Sequence, residues 1–243
     1  MAHFPKPHEG SWTEHYPELG TAPVDYGDSI SPEFYERERD AIFRRTWLNV
    51  GRLEQLPRVG SYFTKEIDAA GTSIIVTRAA SGVRAFHNMC RHRGNKLVWN
   101  DFPREETSGT CRQFTCKYHG WRYTLEGECS FVQQESEFFG LDKKDYGLAA
   151  VQADVWEGFI FVNLDPTNTT PLRDYLGGLG KGLEGYPFHE LTQVHKYRAE
   201  VGSNWKLFMD AFQEFYHAPI LHAKQSPIAA RPEVQAMGFE GLH

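Results

Sequence analysis

The sequence has 243 residues, of which 40% are hydrophobic, 24% charged and 14% aromatic. That is enough apolar material for one large or two ordinary domains. A formal net charge of −6 excludes a general nucleic-acid binder, because no dominant basic field exists to neutralise phosphates. No apolar run reaches the roughly 20 residues of a membrane span, and residues 1–10 lack the basic and apolar segments of a signal peptide. A cytoplasmic protein is therefore expected, with its four cysteines acting as metal ligands, redox groups or inert thiols rather than disulfides.

Residues 1–30 are rich in Pro, Gly, His and acids without a clear period, and read as an extended arm. Ser31-Pro32-Glu33 then has the form of a helix start, Ser at the N-cap and Pro at the first helical position, for a helix running to about Trp47. From Gly51 to Leu164 the signals are short and strand-like: residues 73–77, 84–86, 113–115, 122–125 and 159–164, with turn pairs such as Ser81-Gly82, Ser108-Gly109 and Glu126-Gly127 between them. This predicts a small all-β domain. After Asp165-Pro166 the character changes to a short helix over 171–176, ended by a glycine-rich patch over 177–185. A strand-like piece over 194–201 and a second helix over 204–216 follow. The chain thus divides into 1–45, 46–165 and 166–243.

The densest chemistry lies in the middle segment. Met89-Cys90-Arg91-His92-Arg93-Gly94 contains Cys-x-His, and Thr115-Cys116-Lys117-Tyr118-His119-Gly120-Trp121 contains Cys-x-x-His, with 23 residues between the two pairs. Thiolate and neutral imidazole are ligands that iron and zinc both accept. A pair spaced by one or two residues can aim both donors at one site from a single loop, and Gly94 and Gly120 suit the tight turns that such loops need. A structural zinc site groups like with like, a close Cys pair and then a close His pair. Here each pair is mixed, as expected when two Cys hold one iron, two His hold the other, and each metal draws one ligand from each loop. Cys111 ranks below Cys116 as a ligand because only Cys116 has His three residues on; Cys129 has no partner spacing and reads as a small spectator.

A second constellation lies near the C-terminal end. On a helix, Asp210, Glu214 and His217 fall on one face by i+4 and i+3 steps. His217 and His222 would point roughly 140° apart on a regular helix, but Pro219 would break it and let His222 swing back. Two His with one carboxylate is the facial arrangement of mononuclear Fe(II) oxygenases, which leaves positions open for O2 and substrate.

Cys90-Arg91-His92-Arg93-Gly94 with Cys116-Lys117-Tyr118-His119-Gly120-Trp121, followed by Asn204-Trp205-Lys206 and Asp-x-x-x-Glu-x-x-His-x-x-x-x-His over 210–222, resembles the large (alpha) subunit of Rieske non-haem iron aromatic-ring-hydroxylating oxygenases. The resemblance covers about residues 30–225. It implies an α+β protein: an all-β Rieske [2Fe–2S] domain over 46–165, then the helical start of an incomplete α/β catalytic domain over 166–243. It implies Cys90 and Cys116 on one iron of the cluster, His92 and His119 on the other, and His217 and His222 on a mononuclear Fe(II). Glu214 matches the acid that bridges His217 to the His119 of a neighbouring subunit, where many members carry Asp. The implied reaction is hydroxylation of an organic, by preference aromatic, substrate with O2. Electrons would come from a ferredoxin or flavin reductase, in a homotrimer or α3β3 assembly. The family's third iron ligand is a carboxylate far downstream, and Glu233 and Glu240 are poor candidates for it, so a truncated chain is expected. The gap between the two Cys/His pairs is longer than usual in the family, the excess falling around 103–107. Three other readings remain open at this stage. A Rieske ferredoxin-like electron carrier would leave 210–222 without a role, a zinc-stabilised module would be colourless, and a fragment without the third iron ligand would be inactive.

Overall fold

The computed structural model describes residues 22–100, 105–191, 199–213, 217–222 and 224. It is an α+β chain that divides into two compact units at Glu36/Arg37 and at Val194/His195.

The larger unit is built on a seven-stranded antiparallel sheet. Its strands are β1 (Leu48–Arg52), β2 (Ser61–Ile67), β3 (Thr72–Ala79), β4 (Gly82–His87), β5 (Ser108–Thr110), β9 (Ala150–Trp156) and β10 (Phe159–Asn163), in the order β1-β10-β9-β4-β3-β2-β5. A separate three-stranded sheet, β6 (Phe114–Thr115), β7 (Arg122–Tyr123) and β8 (Cys129–Phe131), stands between β5 and β9 in sequence. The β-branched run in β3 explains why the large sheet has two cores. Ile74, Ile75 and Val76 are all fully buried, which an alternating strand allows only when both faces are covered. Ile74 and Val76 face a core with Val50, Leu56, Phe63, Val151, Ile160 and Val162. Ile75, with Phe86 opposite it on β4, faces the other core, which also holds Cys90, Cys116, Trp121 and Tyr123. The cysteines of both motif loops are thereby packed onto the rigid centre of the sheet.

The strands expected over 73–77, 84–86 and 159–164 are present with slightly different ends, and those over 113–115 and 122–125 shorten to β6 and β7. Ser31 caps α2 (Pro32–Glu38) as the sequence predicts, its Oγ accepting from Phe34 N at 3.1 Å. The helix does not continue to Trp47. It passes into a wide π-helical turn, Arg39–Phe43, where Arg39 and Arg44 donate to the carbonyls of Ala69 and Ala70. Trp47 is buried in a third cluster with Trp156 and Leu172, its Nε1 donating to Thr170 O at 3.0 Å.

The helix that starts at Leu172 ends at the glycine patch as expected: α3 (Leu172–Leu183) is two helical stretches joined by a kink at the non-helical Gly177 (φ 51°, ψ −132°). Leu172 and Leu176, in the first stretch, pack into the third cluster.

Between the two motif loops the chain is tied down on both flanks. Lys117 Nζ donates to Trp99 O at 2.8 Å, Lys65 pairs with Glu106 at 3.0 Å, and Thr107 N donates to Thr64 Oγ1 at 2.8 Å. The residues flanking the expected excess length are thus joined to β2 and to the second loop.

In the smaller unit, α1 (Gly27–Ile30) and the start of α2 lie with α4 (Trp205–Gln213) and α5 (Ala218–Leu221). Asn204 caps α4, its Oδ1 accepting from Lys206 N at 3.0 Å. Its Nδ2 donates to Ser29 O at 3.0 Å. The strand expected over 194–201 falls mainly outside the described residues, and 199–201 are irregular.

Candidate metal centre

The two motif loops are built on the same hydrogen-bond frame. In the first, Cys90 N donates to Asn95 O at 2.8 Å and Gly94 N donates back to Cys90 O at 3.0 Å. In the second, Cys116 N donates to Trp121 O at 2.8 Å and Gly120 N to Cys116 O at 3.0 Å. Each loop turns through a left-handed glycine, Gly94 at φ 72° and Gly120 at φ 74°, a conformation that costs glycine little. The second loop is the tip of the β6–β7 hairpin, in which Thr115 pairs with Arg122.

These frames bring all four predicted donors together. Cys90 and Cys116 are 3% and 2% exposed and lie in the same core. The rings of His92 and His119 are 4.8 Å apart. Burial is the largest influence on the Cys90 thiol and pushes its pKa up, so the thiolate form needs a cation to hold it. The pKa of His92 is lowered, first by burial and then by His119 and Arg93, which favours the neutral imidazole that a metal requires. His119 Nδ1 is buried and has no hydrogen-bond partner. Buried polar atoms are seldom left so, and a metal ligand is the natural exception. Two buried thiols beside two imidazoles suit a two-iron cluster with separate ligand pairs, and the donor set fits a [2Fe–2S] group.

An aromatic wall encloses the imidazoles. His92 stacks on Trp121 at 4.9 Å with planes 5° apart, Phe138 meets both edge-on, and Tyr118 covers His119 at 3.9 Å. Tyr123, fully buried, places its Oη 3.2 Å from Cys90 Sγ and accepts from Arg91 N at 3.0 Å. Sequence reasoning missed Tyr123 and Phe138, because nothing local in the chain marks a residue that meets Cys90 or His92 only after folding. Cys111 is half-buried and Cys129 buried; both thiols are raised by burial.

In the smaller unit, α4 is described to Gln213, and Glu214 lies outside the described residues. His217 precedes α5, its carbonyl accepting from Ile220 N and Leu221 N, and Pro219 occupies the first turn, where proline is tolerated. The short new turn carries His222 round, so that the rings of His217 and His222 meet at 5.3 Å and 72°. Asp210 is exposed on α4.

Known proteins resemble the chain over both regions. The sequence profile of the Rieske [2Fe-2S] domain matches residues 46–149, and that of the ring hydroxylating alpha subunit (catalytic domain) matches residues 188–242. The chain belongs to the Rieske oxygenase alpha subunits. The carnitine monooxygenase oxygenase subunit of Escherichia coli (strain K12) is 32% identical over 191 residues, covering 77% of this chain and 49% of that protein. The chloroplastic choline monooxygenase of Beta vulgaris is 31% identical over 197 residues, covering 79% and 42%. Among solved structures, naphthalene 1,2-dioxygenase from Rhodococcus sp. superposes with a TM-score of 0.71 at 29% identity, covering 84% of this chain and 46% of that one. The Rieske chain spans about half the length of the curated relatives it matches. The cofactors that go with its two matched domains are a Rieske [2Fe–2S] cluster and a mononuclear iron. Among the described residues, no helix is long and apolar enough to cross a membrane.

Proposed function

We propose that this chain serves a Rieske oxygenase component that hydroxylates a small quaternary ammonium compound. Cys90 and Cys116 would hold one iron of the [2Fe–2S] cluster, His92 and His119 the other, within a cluster domain over 46–165. His217 and His222 would hold the mononuclear Fe(II) in the part of the catalytic domain over 166–243. The cluster supplies one-electron transfer and the mononuclear iron O2 activation. Residues of the chain keep the ligands in place: the twin loops fix the thiols, and Trp121 and Phe138 orient His92. Glu214 is proposed as the acid that links His217 to the cluster of a neighbouring subunit in a homotrimer or α3β3 assembly. A ferredoxin or flavin reductase would be the electron donor and the cytoplasm the compartment.

The observation that carries this reading is the pair of matching loops with two buried thiols and an unpartnered, buried His119 Nδ1. The substrate class differs from the aromatic one that the sequence resemblance favoured. It rests on relatives named for carnitine and choline, both of which carry a quaternary ammonium group.

Two measurements test the proposal. EPR of the purified, dithionite-reduced protein, with iron and sulfide counted on the same sample, is expected to give the low average g of a His-ligated cluster. A colourless, zinc-containing, EPR-silent protein would overturn it. Oxygen uptake by the whole oxygenase with its reductase should respond to carnitine, choline or glycine betaine; a response to naphthalene alone would return the substrate to the aromatic class.

A further inference from the structure

Two residues before Cys90, Asn88 is buried at 4% exposure and uses its whole hydrogen-bonding capacity. Nδ2 donates to Val98 O at 2.8 Å and to Ser73 Oγ at 3.2 Å. Oδ1 accepts from Leu97 N at 3.1 Å and from Val98 N at 2.7 Å. An amide has two N–H donors and two acceptor lone pairs on oxygen, and all four are engaged. One side chain thus joins the first residue of the loop that carries Cys90 and His92 to the last, and both to β3.

The clasp extends further. Ser73 Oγ donates to Glu66 Oε1 at 2.7 Å, and Lys96 Nζ donates to the same oxygen at 2.6 Å. Asn88 N also donates to Ser73 O at 2.8 Å. The far limb of the loop is therefore fastened through Lys96, Glu66 and Ser73 back to its near limb at Asn88. No other residue type of this size fits the position. Asp has the shape but cannot donate to Val98 O, Ser is too short to span Ser73 and Val98 together, and leucine would leave Leu97 N and Val98 N without their acceptor.

We infer that Asn88 is a positioning residue for the cluster: it fixes the separation and direction of Cys90 and His92 by clamping their loop shut. The inference rests on the ligand assignment proposed above. It concerns how firmly and in what geometry the cluster is held, rather than whether the chain folds.

The test uses the cluster-loaded protein and three variants: Asn88→Asp, Ser73→Ala and, as a control, Val162→Ala. Val162 is fully buried in the core on the other face of the sheet. The readouts are the g-values of the reduced-state EPR signal and the rate at which visible absorption is lost to an iron chelator. Asn88→Asp should accelerate cluster loss by at least about tenfold, the low end for outer partners of a metal site, and shift the g-values. Ser73→Ala should act in the same direction with smaller effect, and Val162→Ala should lower thermal stability while leaving both readouts unchanged. Wild-type g-values and loss rates in both Asn88→Asp and Ser73→Ala overturn the inference. If Asn88→Asp yields no folded protein, Ser73→Ala decides alone, and a wild-type result for it overturns the inference. A wild-type protein with no iron and no sulfide is a different failure, because it removes the ligand assignment itself.

Discussion

Replacing Tyr123 with Phe should make the cluster harder to reduce. The direction follows from one hydrogen. Arg91 N–H donates to Tyr123 Oη, so the phenolic hydrogen is free to point at Cys90 Sγ, 3.2 Å away. Burial first, and then the neighbouring Cys90, push the phenol pKa far above its ordinary value, so the group stays a donor at any working pH. A hydrogen bond to a charged acceptor contributes about 1.5–3 kcal/mol. The sulfur carries more negative charge when the cluster is reduced, so part of that, about 1 kcal/mol, separates the two oxidation states. For a one-electron couple, about 59 mV corresponds to a factor of ten, or about 1.4 kcal/mol. Tyr123→Phe should therefore lower the midpoint potential by about 40 mV. The ring itself is fully buried and survives the substitution, so unfolding stability should drop by no more than about 1–2 kcal/mol. An EPR-monitored redox titration of both proteins reads the shift directly. A potential that is unchanged or raised would refute the assignment of the donor.

Other expected outcomes follow from the same structure. His222→Ala should lower the iron content without changing the sulfide content or the cluster EPR signal, measured on one sample; loss of the cluster signal would contradict separate sites. Ile160→Ala, at a fully buried core position, should cost about 2–5 kcal/mol in urea unfolding. The pKa of His87 is lowered by burial, so the unfolded chain takes up the proton first. Stability tied to this residue is fully present above the unfolded value of about 6.5 and declines as pH falls through it towards the folded value. His87→Gln should flatten the difference between urea melts at about pH 7.5 and about pH 5.5, and an unchanged difference would remove His87 as its source.

The cluster site was legible in the sequence because its information is local. Cys90 and His92 are two residues apart, Cys116 and His119 three, and a single turn around Gly94 or Gly120 aims each pair. The helix cap at Ser31 was readable for the same reason. What escaped was set by distant parts of the chain. Tyr123 reaches Cys90 across 33 residues and Asn88 reaches Ser73 across 15, and neither approach leaves a trace in spacing. The break at Gly177 was readable from glycine propensity, but the helical stretch that resumes after it to Leu183 and the packing of Leu172 and Leu176 with Trp47 and Trp156 were not. Pro219 signalled that His222 could swing back towards His217, and the two rings do meet.

The anchors at Trp99 and at Glu106 and Thr107 couple the second ligand loop and the large sheet to the same connection. On one side Trp99 is tied to Lys117 of the second loop, and on the other Glu106 and Thr107 are tied to β2. Strain entering at Trp99 would pass to Lys117, between Cys116 and His119, whereas strain entering at Glu106 or Thr107 would pass to β2.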